Sequence, residues 1–270
     1  MDTFLLIVLI LALTGAFAGF ASGMLGVGGA FVMVPVQFRV LTDLLMLDDT
    51  LAIRVAFATS LAVALPTAVS GAAGHHRCGV IEWRAAGIMG ASGFLGGILG
   101  GMVATSSDAG ILRVIFAILL VIIAAGLFVQ TSPGQKRDMR RDAPVFAVLG
   151  FSVGILSGLL GIGGGIAMVP ALIIICGFPA HRAVGTSSAF ILFASLGGIL
   201  IYVLRGLSIS DLPFPSLGYI DLFQWLVLSV VTVPMAQVGV RAAHRLPARY
   251  LEYILIVVLL YSALSMLGIL

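Results

Sequence analysis

Groups able to hold an oxyanion occur twice in this 270-residue chain. Gly23, Gly26, Gly28 and Gly29, closing on Pro35, recur as Gly158, Gly161, Gly163 and Gly164, followed by a further Gly165 and closing on Pro170. In a helix each glycine costs roughly 0.5–1 kcal/mol against alanine, so each word predicts a helix break rather than helix interior. A break exposes backbone N–H groups at the next helix start, where the dipole, equivalent to about half a positive charge, favours an anion. Neither word ends in the Lys-Ser/Thr that grips phosphate and neither follows a strand pattern, which argues against a nucleotide loop.

A cation and a hydroxyl pair follow each word: Arg54 before Thr59 and Ser60, and His181-Arg182 before Thr186, Ser187 and Ser188. Hydroxyls, backbone N–H groups and a guanidinium can replace the water that an oxyanion leaves behind. The same residues also have plain structural uses. Small residues let helices approach closely, as the ridge Gly93, Gly97, Gly101 predicts. Hydroxyls can bond the preceding helical turn. Arg54 sits in an apolar segment, where an arginine costs about 2.5–3.5 kcal/mol at a helix centre, and serves either a site or an interface near Asp48 and Asp49 to which it snorkels.

The pattern excludes the usual membrane enzymes. No paired Asp, Ser-His pair or His-Glu-x-x-His falls within a span, and the acids nearest a span are Asp2 and Glu252, which leaves a carboxylate relay without a clear carrier. His181 is the one candidate for pH-dependent coupling. Cys78 and Cys176 stand singly, with no ligand spacing, so neither a metal nor another cofactor is indicated.

The elements that must position these groups are membrane helices. The chain is 61% hydrophobic and 9% charged with a mean hydropathy of +1.22, more apolar side chain than a soluble domain can hide. Apolar stretches near 20 residues recur throughout, a polytopic all-α membrane pattern rather than a barrel. The lipid bilayer is therefore its partner; the basic residues behind the net charge of +3 sit in loops without interleaved aromatics and report topology, not nucleic acid.

At an offset of 135, ten of seventeen positions from Gly19 to Pro35 are identical to Gly154–Pro170; at 127, Ala56, Thr59 and Ser60 match Ala183, Thr186 and Ser187; at 139, Gly100 matches Gly239. Each half therefore reads as five apolar segments: residues 1–130 and 144–270, joined by a basic linker over 131–143. The second segments, Ala30–Val40 and Ile166–Ile175, are short. At 1.5 Å per residue they reach about half of a roughly 30 Å hydrocarbon core, which predicts glycine-broken hairpins or discontinuous spans.

Loop Lys and Arg assign sides. The linker, with Lys136, Arg137, Arg140 and Arg141, is expected to be cytoplasmic; equivalent loops such as 39–50 and 177–182 then carry opposite bias. That predicts two inverted five-segment repeats.

The two glycine words, with His181-Arg182-Ala183-Val184-Gly185-Thr186-Ser187 and Ala58-Thr59-Ser60-Leu61, resemble the TauE/SafE sulfite exporter family, also called the toluenesulfonate uptake permease family. The resemblance covers nearly the whole chain and includes His75-His76-Arg77 ahead of Trp83-Arg84; Ala30 departs from it where the second word has Gly165. It implies a multi-pass carrier of the bacterial inner membrane for small sulfur-containing anions, sulfite or organosulfonates. The expected function is a secondary transporter, an exporter by the family's name, using proton or sodium as coupling ion and alternating access around the two breaks. A passive anion channel, and a subunit that only docks a partner, are the other readings.

Overall fold

A computed structural model describes residues 3–129, 142–209, 212–213, 215–243 and 248–269. The linker cations Lys136, Arg137, Arg140 and Arg141, together with His244 and Asp2, lie outside the described residues. The chain forms α1 (Thr3–Leu25), α2 (Ala30–Arg39) extended by a π-helical turn (Val40–Leu44), α3 (Asp49–Arg77), α4 (Trp83–Ser106), α5 (Ala109–Val129), α6 (Ala143–Leu160), α7 (Gly165–Ile174), α8 (Ala180–Gly206), a hairpin of β1 (Ser216–Leu217) and β2 (Ile220–Asp221), α9 (Leu222–Ala243) and α10 (Ala248–Met266). Among the described residues seven helices are long and apolar enough to cross a membrane.

The expected segments each become one helix. α2 and α7 are ten residues apiece, with starts and ends both separated by 135. α3 runs to Arg77 and carries His75 and His76 in its last turn; its start is fixed by Asp48, whose carboxylate accepts the Thr50 N–H at 2.9 Å. Large apolar side chains such as Leu13, Val148, Val230 and Val257 face outward, as a lipid solvent requires.

The halves are interlocked. α1 packs along α9, and α4 along α6; α4 also packs on α8, and α9 on α3. Each pairing thus joins an element of one half to the other half. Small residues line the seams because apolar contact offers no gain over lipid, so backbones must come close enough for van der Waals packing. Added methyl groups at Gly154 and Gly158 would strike the carbonyls of Gly93 and Gly97, and one at Gly19 would meet the Thr232 Cα at 2.7 Å. The ridge of Gly93 and Gly97 is a packing seam, and Gly101 faces Ile201 of α8. α3 and α8 run antiparallel, with Leu61 beside Gly198 and Gly71 beside Ser188.

Candidate functional site

Each glycine word folds as its composition demands. α1 ends by a bond from the Gly26 N–H to the Ser22 carbonyl at 2.8 Å, and α6 by the same bond from Gly161 to Ser157 at 3.0 Å. Gly26, Gly28 and Gly29 have φ of 67, 85 and 70°, and Gly161, Gly163 and Gly164 have 69, 69 and 79°. Side-chain-bearing residues avoid that left-handed region, so two three-glycine turns reverse the chain and start α2 and α7. Among the described residues no acceptor takes the N–H of Gly28, Gly29, Gly163 or Gly164, and all four glycines are buried.

The breaks meet inside the bundle. Methyl groups added at Gly28 and Gly165 would meet the carbonyls of Ile162 and Gly26. Each break also seats on the third helix of the other half: Gly26 on Val184 in the second turn of α8, and Gly161 on Phe57 in the third turn of α3. Those two contacts are equivalent under the offsets of 135 and 127.

The hydroxyl pairs sit where the repeat places them, all with side chains at or near zero exposure. Thr59 accepts the N–H of Asp221, just ahead of α9, and Thr186 accepts the N–H of Glu82, just ahead of α4, both at 3.0 Å. This contact is reciprocal too. Ser187 donates to the Gly26 carbonyl at 3.0 Å, so α8 is tied directly to the first break. Ser60 instead donates to Gln37 Oε1 at 2.6 Å, and Ser188 to the Val184 carbonyl of its own helix.

The cations divide. Arg54 is half-buried and donates to the Ser107 carbonyl at 3.0 Å, with its Nε buried and unpartnered. It lies one turn before Phe57, which covers Gly161, and within electrostatic reach of Tyr202, whose hydroxyl donates to the Gly158 carbonyl at 3.0 Å. His181 and Arg182 lie exposed in the first turn of α8, where Arg182 pairs with Glu82 at 3.7 Å. The structure therefore brings the two breaks together, seats Ser187 on the first of them, and places Arg54 and Thr59 on the stretch of α3 around Phe57 that covers the second; His181 and Arg182 stay exposed at the start of α8.

Further polar groups accompany this region. Ser157 and Ser195 flank the second break, fully buried, with hydroxyls lacking partners; Ser195 Oγ lies 3.5 Å from a methyl placed on Gly163. His75 bonds the Gly23 carbonyl at 3.0 Å from the end of α3. Asp221, Gln224 and Gln37 are buried as well. Sequence reasoning passed over Asp221 because it looks like a loop acid; the offset of 139, which sets it on Glu82, was the available signal.

Residues 11–266 match the model of the family described as sulfite exporter TauE/SafE. The chain belongs to this family. It is similar to a probable membrane transporter protein of Haemophilus influenzae, 30% identical and covering 98% of this chain and 99% of that one. Others are from Methanocaldococcus jannaschii, 25% identical with 98% and 95% covered, and Bacillus subtilis, 27% identical with 90% and 91% covered. No solved structure matches it. TauE/SafE relatives carry the names of transporters rather than enzymes, in keeping with a site built of backbone amides and hydroxyls.

Proposed function

We propose that this multi-pass membrane transporter is a secondary carrier of small sulfur-containing anions, sulfite or an organosulfonate, working as an exporter in the bacterial inner membrane by alternating access around the paired breaks. The observation that carries this reading is the meeting of two glycine turns in which, among the described residues, the N–H groups of Gly28, Gly29, Gly163 and Gly164 have no acceptor, with the Arg54 guanidinium one turn from the residue that covers Gly161. The helix starts of α2 and α7 add favourable potential for an anion. Thr59 and Thr186 only accept in their bonds to Asp221 and Glu82, which leaves each hydroxyl proton for a ligand. Purified protein in liposomes should accumulate radiolabelled sulfite or sulfoacetate against its gradient when a pH or sodium gradient is imposed. Strictly downhill flux would make it a channel, and no flux of either anion would end the reading.

Alternating access needs two pieces that can rock. Residues 1–130 and 144–270 serve as the two repeats, inverted relative to each other. The antiparallel run of the equivalent helices α3 and α8 supports this, as do the reciprocal seams. In a Cys78→Ala, Cys176→Ala background, Asp43→Cys should react with an impermeant maleimide in intact cells. Pro179→Cys should react only after permeabilisation. Labelling of both from one side would mean parallel halves.

A further inference from the structure

The two halves differ around their hydroxyl pairs, and the difference is polar. Glu82 is partly exposed and ion-paired with Arg182. Asp221 stands at the equivalent position but is 4% exposed, and among the described residues no cation pairs with it. Val55 occupies the position that Arg182 holds in the other half. The Asp221 carboxylate accepts the backbone N–H of Gln224 and the Gln224 Nε2, each at 3.0 Å. Gln224 Oε1 is left buried without a partner, and so is Nε2 of Gln37, which holds Ser60 next to Thr59. The counterparts of Gln37 and Gln224 are the apolar Leu172 and Ala85. Asp221 and Gln224 line a cavity of about 580 Å³ whose other walls are apolar, including Phe4, Ile7, Pro213 and Pro215.

Helix capping explains one of these bonds, Asp221 Oδ1 to the Gln224 N–H, and leaves the rest unexplained. A buried carboxylate without a cation and a buried amide oxygen without a donor lack, between them, one proton. While Asp221 is ionised, Gln224 offers it Nε2 and strands Oε1. Once Oδ2 is protonated, a half-turn of the amide lets Oε1 accept the new O–H, and Nε2 takes the place that Oε1 held. The same heavy-atom positions serve both states, because amide oxygen and nitrogen are nearly isosteric.

We propose that Asp221, whose backbone N–H is held by Thr59, is a proton-binding group of the carrier and that the Gln224 amide reports its charge to an anion in the cavity that both residues line, so that one proton and one anion are loaded together. This inference rests on the carrier reading above. An ionised Asp221 repels an anion and Gln224 presents it an acceptor; a neutral Asp221 does not repel, and Gln224 presents a donor. The proton forms the Oδ2–H bond on the side where the anion loads and leaves by the reverse step on the other side, so export runs down the anion's own outward gradient and an inward proton gradient opposes it. Burial pushes the Asp221 carboxyl up from the ordinary carboxylate range, and the bonds from Gln224 and the Phe223 N–H pull it part of the way back. The group therefore loses its proton at a higher pH than an exposed aspartate, and anion loading should fall as pH rises through that point.

Other charged groups on the surrounding elements do not substitute for it. Asp43 pairs with Arg39 at 3.8 Å, Asp49 with Arg113 at 3.2 Å, and Arg54 is turned to Ser107. Asp48 and Arg205 are exposed. Tyr202 bonds Gly158, and Tyr219, in the hairpin turn, packs edge-on against Tyr202. The described part of α1 presents only Phe4 and Ile7 to the cavity.

Asp221→Asn tests the inference, since asparagine keeps the cap but cannot ionise. In liposomes the unaltered protein should exchange radiolabelled sulfite more slowly as pH is raised and accumulate it when the proton gradient is imposed. Asp221→Asn should exchange at a rate independent of pH and lose gradient-driven accumulation. Gradient-driven accumulation by Asp221→Asn would overturn the proposal. Infrared difference titration gives a readout that needs no substrate: a carboxylic-acid band should titrate in the unaltered protein and be missing from Asp221→Asn. Absence of that band from the unaltered protein also overturns the proposal, whereas the band with no flux of sulfite or sulfoacetate overturns the carrier reading instead.

Discussion

Gly163→Ala is expected to give a folded protein that no longer transports, and Gly161→Ala a protein that does not fold. Both glycines have φ of 69°, so each alanine meets the same left-handed strain, about 1–2 kcal/mol. Their surroundings differ. At Gly161 a Cβ would lie 2.5 Å from the Phe57 Cα, and backbone in the middle of α3 cannot give way. At Gly163 the one tight contact is the Ile191 Cγ2 at 3.2 Å, the end of a side chain that can shift by tenths of an ångström, while the Ala64 Cβ and Ser195 Oγ at 3.5 Å are at ordinary contact distance. The methyl at Gly163 would nonetheless stand beside amides that have no acceptor and beside the unpartnered Ser195 hydroxyl, where the anion is proposed to bind. Valine would add β-branching to a left-handed residue and confuse strain with function. Thermal stability and sulfite flux measured on one purified sample decide the matter. A stable, active Gly163→Ala sinks the site, and loss of folding in both variants reduces the breaks to packing.

The same contrast explains how far the sequence could be read. The helix breaks, the two short helices and the segment order were legible because glycine clusters and apolar run length are local, and a duplication prints each signal twice. The left-handed turns at Gly26 to Gly29 follow from those residues alone. What could not be read is which half meets which. That α1 lies on α9 rather than on α4 depends on small residues at Gly19 and Thr232 that look alike in every span. Side-chain depth was equally hidden. Asp221 sits in a loop by sequence and at 4% exposure in the fold, because the hairpin that ends on it packs against α3 and its N–H bonds Thr59; Arg182 follows His181, the counterpart of Arg54, and is an exposed residue bound to Glu82.

Arg54→Ala should weaken sulfite binding by at least about thirtyfold, and Arg182→Ala by less than about tenfold. Removing one partner of a desolvated charge pair costs about 2–5 kcal/mol, and each 1.4 kcal/mol is a factor of ten in affinity. Arg54 meets that description: it is half-buried one turn from the residue that covers Gly161, its Nε has no partner, it donates to a neutral carbonyl, and among the described residues no carboxylate pairs with it. Arg182 is 46% exposed and already paired, and an exposed pair is worth about 0–1 kcal/mol. Arg54 also covers the end of α4 through Ser107, which alone would make the substitution destabilising. Stability and affinity separate the two roles. Arg54→Lys keeps the charge and loses the planar fork, so a site arginine should recover part of the sulfite affinity as lysine. Arg54→Ala that lowers the melting temperature and leaves sulfite affinity unchanged would make Arg54 a helix cap and leave the breaks to hold the anion by backbone amides alone.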